Sequence, residues 1–233
     1  MLNILAFSDI HGTEISRREH EELKRTIDKD NIRLVLSLGD MPKRTLESLA
    51  RLFSEKNIPI FAVRGNHDGE YSLKDIPNVV NMHQRLVDCW GITLAGLEGC
   101  LKYTKNPRII CYSDEDYTSM IGNFRKITEE GEIPIGALPK VDVLITHCAP
   151  IIPAGQASNI AHDAPPALRN LIMSGNSPRL AVHGHRHKNY ETSEINRDGK
   201  AVRIISVYPQ PRGYGVSPGR VISFMEDERI NKP

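Results

Sequence analysis

The chain has 233 residues, a length typical of one domain. Apolar residues make up 39% and charged residues 25% of it, an ordinary globular composition that excludes a fibrous or disordered chain. Thirty Lys and Arg against 29 Asp and Glu leave a net charge of +1. The protein therefore has no large positive charge that would favour the binding of nucleic acids larger than nucleotides. We predict a single domain over residues 1–233. Any polyanionic substrate should be bound by a few side chains at one site and not by the overall charge of the protein.

The N-terminus and the cysteines favour a cytoplasmic protein. Residues 1–7 are apolar, but no basic segment precedes them and polar residues follow at once, unlike a signal peptide. No segment reaches the roughly 18–20 apolar residues of a membrane span. The cysteines are far apart and favour reduced thiols over disulfides or a metal knuckle: Cys89, Cys100, Cys111 and Cys148.

Five times along the chain, a short apolar run typical of a buried strand ends in polar residues that can bind a metal. The five runs are 2–7 before Asp9 and His11, 34–38 before Asp40, 58–63 before Gly65-Asn66-His67-Asp68, 141–145 before His147, and 180–182 before Gly184-His185-Arg186-His187. Histidines two residues apart share a direction in extended backbone, so we expect His185 and His187 to point the same way, with Gly184 letting the backbone approach an ion.

Helical patterns separate the first three runs. Residues 45–56 place leucines and a phenylalanine on one face, and residues 14–28 are heavily charged with few apolar positions. Strands that alternate with helices predict a largely parallel sheet with helices outside it. In such a sheet the ligand site lies beyond the carboxyl ends of the strands, so the five polar clusters should meet in space.

The remaining elements are less regular. Segments 84–88 and 92–95 predict an antiparallel pair, and 201–207 with 221–225 predict another, joined by 209–219, in a second and mostly antiparallel sheet. A capping box at Ser113 to Asp116 predicts a helix that runs to about residue 130. The pattern assigns no role to the segments 96–135 and 155–166.

Each polar cluster alone is typical of a turn or a cap, but together they predict a metal site. Aspartate, histidine and asparagine ligands without a thiolate suit Mn, Fe, Zn or Ni, of which we favour manganese. Two divalent ions about 3.5–4 Å apart, bridged by a carboxylate, acidify a shared water and clamp the attacking and leaving oxygens at phosphorus.

The ordered motifs D-x-H, G-D, G-N-H-D, H and G-H-x-H, which extend from residue 9 to residue 187, resemble those of the calcineurin-like metallophosphoesterase superfamily. The resemblance implies an α/β fold: a four-layer αββα sandwich of two mixed sheets with the active site at the strand carboxyl ends. It implies that His67 lies beside the scissile phosphate as a proton donor or charge stabiliser. The implied metal ligands are Asp9, His11 and His187 for one ion, Asn66, His147 and His185 for the other, and Asp40 as the bridge.

The second motif departs from the protein Ser/Thr phosphatase branch, which has an aspartate at the position of Lys43. Arg44 keeps the spacing of that branch and is a candidate phosphate contact, or a surface residue at a helix start. Arg64 before the third motif is better interpreted as part of a structural ion pair.

Two loops offer further substrate contacts. His162, with Asn159 and Asp163, follows the strand that ends at His147, so it should lie over the metals. Residues 102–108 contain Tyr103 and three basic residues, which form either a basic aromatic edge for a nucleotide or a solvated loop.

We predict a phosphoesterase that hydrolyses small phosphate esters by attack of a metal-activated water. Phosphodiesters are slightly favoured, because small family members without a lid domain often resemble phosphodiesterases. The alternatives are a phosphomonoesterase, a nuclease, which the net charge disfavours, and a non-catalytic scaffold similar to the retromer subunit of this fold. That subunit has lost family histidines, whereas this chain keeps them. The oligomeric state is not predicted.

Overall fold

The computed structural model describes residues 1–11, 15–69, 71–153, 159–212, 215–217 and 219–224. The strands of the first half are β1 (Leu2–Phe7), β2 (Ile32–Ser37), β3 (Ile60–Ala62), β4 (Val79–Asn81), β5 (Arg85–Cys89), β6 (Ile92–Leu97), β7 (Cys100–Leu101) and β8 (Cys111–Tyr112). Those of the second half are β9 (Phe124–Thr128), β10 (Gly131–Gly136), β11 (Val143–Thr146), β12 (Leu180–His183), β13 (Tyr190–Ile195), β14 (Ala201–Ser206), β15 (Gln210–Arg212), β16 (Gly215–Ser217) and β17 (Gly219–Phe224).

The α-helices are α1 (Arg17–Lys29), α2 (Lys43–Ser54), α3 (Asp114–Ile121) and α4 (Pro166–Met173), and single 3-10 turns form at Leu73–Asp75 and Ile160–His162. No helix in the described part of the chain has the length and apolar character needed to cross a membrane.

Two mixed sheets contain most of the strands. The first has the order β17-β1-β2-β3-β4, in which β1 to β4 are parallel and β17 is antiparallel to β1. The second has the order β10-β9-β5-β6-β11-β12-β14-β13, with a parallel centre of β6, β11, β12 and β14. Strands β7 and β8 form a separate parallel pair, and β15 and β16 an antiparallel one.

The side chains of β1 show how the layers form, because successive residues of a strand point to opposite faces. Ile4 and Ala6 join a buried cluster between the two sheets, and that cluster also includes Val143 and Val182. Leu5 and the alternate residues of β2 and β3 pack instead against α1 and α2.

The outer face of the second sheet packs against α3 and α4 in the same way. The chain therefore forms the predicted four layers, helix–sheet–sheet–helix.

Two of the predicted elements are wrong. Residues 201–207 and 221–225 do not pair with each other: β14 lies between β12 and β13 in the second sheet, whereas β17 is the edge strand of the first. Two similar apolar runs gave no sign that they belong to different sheets. The helix that begins after Ser113 has the predicted capping box but ends at Ile121, and the chain continues as β9, which pairs with β5 and β10. The antiparallel pair of β5 and β6 is confirmed.

A buried ion pair joins the two sheets beside the ends of β3 and β6. The Arg64 guanidinium donates two hydrogen bonds to the Glu98 carboxylate, at 2.9 and 2.8 Å, and Tyr112 donates a third at 2.8 Å. Glu98 is only 2% exposed. Burial opposes its ionisation, but the hydrogen bonds from Arg64 lower the pKa of Glu98 overall. Arg64 therefore has the structural role that the sequence favoured.

Replacing Arg64 with Met should lower the free energy of unfolding by about 3 kcal/mol, because Glu98 then stays buried without its cation. The double variant Arg64→Met/Glu98→Gln should be more stable than Arg64→Met alone. Chemical denaturation of the metal-free protein measures both values. Lys56→Met, which breaks the exposed ion pair with Asp28, is the control and should cost at most about 1 kcal/mol. If Arg64→Met lowered the free energy of unfolding by no more than the control does, the structural role of the ion pair would be contradicted.

Candidate metal centre

The five polar clusters meet where the two sheets face each other at their carboxyl edges. Asp9 and His11 follow β1, Asp40 follows β2, and Asn66 and His67 follow β3, all in the first sheet. The second sheet contributes His147 after β11 and both His185 and His187 after β12. The clusters meet as the sequence predicted, but they come from the carboxyl edges of two sheets and not of one.

Left-handed backbone turns the chain sharply at these strand ends. Asp9, Asp40, His185 and His187 have φ values of 54°, 52°, 64° and 52°. Non-glycine residues adopt this region rarely, and they do so mostly where surrounding structure holds them, often at functional sites. The extended backbone on which a shared direction of His185 and His187 depended is absent, because both residues have left-handed backbone.

Gly184 also has a different role from the one expected. A Cβ atom at this position would overlap the Ser8 hydroxyl, and it would lie 2.6 Å from Asp9 Oδ2. The glycine thus lets the chain after β12 approach the chain after β1 directly, rather than approach an ion.

The first group of potential ligands consists of Asp9, His11 and His187, whose ligand atoms all lie within 4.8 Å of one another. Asp9 Oδ1 is 3.3 Å from His187 Nε2 and 3.9 Å from His11 Nε2.

The second group consists of Asp40, His147 and His185, again with ligand atoms within 4.8 Å. Asn66 adjoins it, because its Oδ1 lies 2.8 Å from His147 Nε2. Asp40 Oδ2 is 3.5 Å from His147 Nε2 and 3.7 Å from His11 Nε2, so this oxygen lies between the two groups.

The two carboxylates leave one oxygen each for a cation. Asp9 Oδ2 accepts hydrogen bonds from Ser8 Oγ at 2.6 Å and from the His185 backbone N–H at 2.9 Å. Asp40 Oδ1 accepts one from the His67 backbone N–H at 2.8 Å. Asp9 Oδ1 and Asp40 Oδ2 are buried and accept no hydrogen bond in the structure. Because buried polar atoms are rarely left unpaired, these two oxygens fit a pair of divalent ions.

Hydrogen bonds to backbone carbonyls determine which ring nitrogen of His147 and of His185 is available to bind a metal. His147 Nδ1 lies 2.7 Å from Leu38 O, and His185 Nε2 lies 2.6 Å from Ala161 O. A carbonyl only accepts, so each of these nitrogens carries a hydrogen. In the neutral rings, the lone pair is then on His147 Nε2 and His185 Nδ1, which is the usual orientation of a metal-binding imidazole.

His67 belongs to neither ligand group. Its ring centroid lies 5.6 Å from that of His11, and its exposed side chain borders a depression of about 380 Å³. The residues that line this depression are His11, Asp40, Met41, Pro42, Lys43, His67, Asp68 and Tyr71. His67 is therefore next to the ligand groups and open to a substrate.

The two predicted substrate contacts differ in position. Arg44 lines a separate depression with Ile15 and Arg51, whereas its neighbour Lys43 lines the one beside His67.

His162 lies beside the ligand groups. Its ring centroid is 4.7 Å from that of His185 and 5.6 Å from that of His187, and its Nδ1 contacts Asn159 Oδ1 at 2.9 Å. Residues 155–158 of the predicted 155–166 loop lie outside the described residues.

Sequence reasoning assigned no role to Asp68, which holds the second and third motifs together. Its buried carboxylate accepts hydrogen bonds from the backbone N–H groups of Asp40 at 2.8 Å, Met41 at 3.1 Å and Gly65 at 2.8 Å. Burial raises the pKa of Asp68 to about 6, against the effect of these donors. The signal was present in the sequence, because no turn requires an acidic residue after G-N-H.

Comparison with known proteins agrees with this geometry. The family model for calcineurin-like phosphoesterases matches residues 2–189. The chain belongs to this family. It is therefore a metal-dependent phosphoesterase.

A solved crystal structure with 14% sequence identity superimposes with a TM-score of 0.55 over 87% of this chain and 89% of its own, which shows a shared fold. No curated protein sequence matches the chain.

Replacing Asp68 with Asn should weaken metal binding by the phosphoesterase, although Asp68 is not itself a ligand and, of the ligands, contacts only the backbone of Asp40. The amide cannot accept all three N–H hydrogen bonds, so the Asp40 and Gly65 turns lose their common support. We expect a loss of about 1–3 kcal/mol in the free energy of unfolding and reduced manganese occupancy. Denaturation and elemental analysis measure these quantities. Asp75→Asn, in the 3-10 turn that ends at that residue, is the matched control; full manganese occupancy in Asp68→Asn would contradict the supporting role.

Metal binding should release protons. Burial opposes protonation of His147, but the Asp40 and Asp9 carboxylates raise the pKa of His147 to about 9 in the metal-free protein. At neutral pH the ring is thus protonated and must lose a proton to bind a metal. Manganese affinity should therefore rise with pH until about pH 9. Calorimetric titration in two buffers that differ in protonation enthalpy measures the released protons, and an affinity independent of pH between about 6.5 and 8.5 would contradict this assignment.

Proposed function

We propose that this enzyme hydrolyses small phosphodiesters with two divalent ions, manganese being favoured. The observation that carries the proposal is the pair of buried oxygens without hydrogen bonds, Asp9 Oδ1 and Asp40 Oδ2, each within 4 Å of histidine nitrogens. Asp9, His11 and His187 would hold one ion and Asn66, His147 and His185 the other, and Asp40, whose Oδ2 lies between the two groups, would be shared by both. When bound, the ions supply Lewis acidity that activates a water and stabilises the charge on phosphorus.

His67 acts on the leaving group. The hydrogen bond from its backbone N–H to Asp40 Oδ1 fixes it next to the bridging carboxylate, while its side chain borders the depression beside His11. A proton on the imidazole can pass to the leaving oxygen as the ester bond breaks, which is the usual role of a positioned acid.

The surroundings of the ligand groups support a diester rather than a bare phosphate monoester. The depression beside His67 has a volume of about 380 Å³, which leaves room for a second ester substituent. We propose Lys43 and His162 as substrate contacts, because Lys43 lines the depression beside His67 and the His162 ring lies next to that of His185. Lys43 takes the place of Arg44 because Arg44 lines a different depression. Cytoplasmic location is supported by the four cysteines, all of which are free thiols.

Hydrolysis of two chromogenic esters tests the proposal. Manganese-loaded protein should cleave bis(4-nitrophenyl) phosphate with a higher kcat/KM than 4-nitrophenyl phosphate, and Asp40→Ala should lose both activities. A preference for the monoester would identify a phosphomonoesterase. Hydrolysis of neither ester by protein with bound manganese would contradict the proposed activity and favour the scaffold.

Replacing His67 with Ala should lower kcat by about 10²–10⁴-fold, the usual contribution of a positioned acid, while metal content and melting temperature stay unchanged. The loss should be greater for an alkyl ester than for a 4-nitrophenyl ester, because an alkoxide needs a proton to leave. Turnover of both esters, metal content and melting temperature are measured on one preparation. His20→Ala, in α1, where the ring contacts Ser48 of α2, is the matched control; equal losses for both leaving groups would exclude proton donation.

A further inference from the structure

The loop between β7 and β8 carries positive charge without an acidic residue. Residues 102–108 read Lys-Tyr-Thr-Lys-Asn-Pro-Arg, and we call this segment the basic loop. Lys102, Lys105 and Arg108 are exposed, whereas Tyr103 is partly buried. Its charge and its aromatic ring are not used by the metal centre or by His67.

Three contacts hold the basic loop, and the residues that follow it, against the turn that carries Asn66 and His67. The Tyr103 hydroxyl accepts a hydrogen bond from Asn66 Nδ2 at 3.4 Å. Just after the loop, the Ile110 backbone N–H donates to Asn66 O at 2.9 Å. At the far end of the turn, Gly69 lies so close to the Arg108 carbonyl that a Cβ atom on Gly69 would overlap it. The basic loop therefore forms one wall beside the metal centre.

The cations of the basic loop differ in their surroundings. Lys102 lies near the carboxylate of Asp116, which caps α3. Lys105 and Arg108 form no ion pair with any acidic residue in the described part of the chain. These two side chains are thus able to bind an anion.

The combination matches one ligand chemistry. An aromatic ring stacks on a nucleobase irrespective of its sequence, and Lys or Arg beside it binds phosphate. The hydrogen bond to Asn66 holds the Tyr103 ring at the edge of the site, where a substituent of a bound phosphate ester would reach it. Neither the ring nor the cations alone would distinguish a nucleotide from another anion.

We propose that the basic loop binds the nucleoside part of a nucleotidyl phosphodiester, with the base on Tyr103 and a further phosphate on Lys105 and Arg108. This rests on the proposed function and names the substrate class of the same site.

Three substrates that all release 4-nitrophenolate test the proposal. They are bis(4-nitrophenyl) phosphate, the 4-nitrophenyl ester of thymidine 5′-monophosphate, and that ester with an added 3′-phosphate. We expect kcat/KM to rise at each step, by about tenfold for the added base. Equal values for all three would overturn the proposal and leave the proposed diesterase activity intact.

Variants separate the two parts of the loop. Tyr103→Leu should lower kcat/KM about tenfold more for both thymidine esters than for bis(4-nitrophenyl) phosphate, whose loss reports the broken hydrogen bond to Asn66. Lys105→Met/Arg108→Met should remove the advantage of the 3′-phosphate only. The matched control is Arg33→Met/Lys200→Met, which removes one arginine and one lysine near the starts of β2 and β14, at the opposite end of the sheets. An equal effect of the control variant would mean that net charge, not the basic loop, sets the preference.

Binding gives a readout that does not need turnover. Calorimetric titration of manganese-loaded protein should show tighter binding of thymidine 5′-monophosphate than of inorganic phosphate, and Tyr103→Leu should abolish the difference. If no ester is hydrolysed, the proposed function fails, but this titration still decides the inference. Equal affinity for the two ligands in the unsubstituted protein would overturn it.

Discussion

Two buried carboxylates, each with one oxygen committed to the protein and one without a hydrogen bond, determine how the rest of the site is arranged. Asp9 Oδ2 and Asp40 Oδ1 bind the backbone of the loops after β12 and β3, so these loops are tied to the first sheet. The opposite oxygens, Asp9 Oδ1 and Asp40 Oδ2, face histidines that come from both sheets. Leaving them buried without a hydrogen bond is unfavourable unless cations are bound, which couples the fold to the metals.

The residues around the carboxylates keep the histidines ready for the ions. Leu38 and Ala161 carbonyls fix the rings of His147 and His185, and Asp68 supports the turns from which Asp40 and His67 project. The Arg64–Glu98 pair joins the sheets just beside these turns. A site assembled from five strand ends thus depends on contacts that do not themselves touch the metals, which is the usual way of holding ligand geometry.

Sequence patterns predicted the buried strands and the meeting of the five polar clusters, because parallel buried strands have a simple signature and place the residues that follow them at the carboxyl edge of a sheet. The four layers were predicted by the resemblance to the calcineurin-like family. The sequence patterns failed for β14 and β17, since the choice of sheet depends on long-range pairing. They also failed for the backbone at His185 and His187, because left-handed backbone at non-glycine residues has no local signature. The position of Lys43, and not Arg44, beside His67 depends on how α2 begins, and spacing alone does not show this.

Anomalous diffraction at the manganese edge, from crystals grown with manganese, would locate the ions themselves. We expect two peaks per chain, about 3.5–4 Å apart. One should lie against Asp9 Oδ1 and the other against His147 Nε2, with Asp40 Oδ2 between them. A single peak under saturating manganese, or two peaks of which neither contacts Asp40, would contradict the claim that these oxygens are left free for a pair of ions.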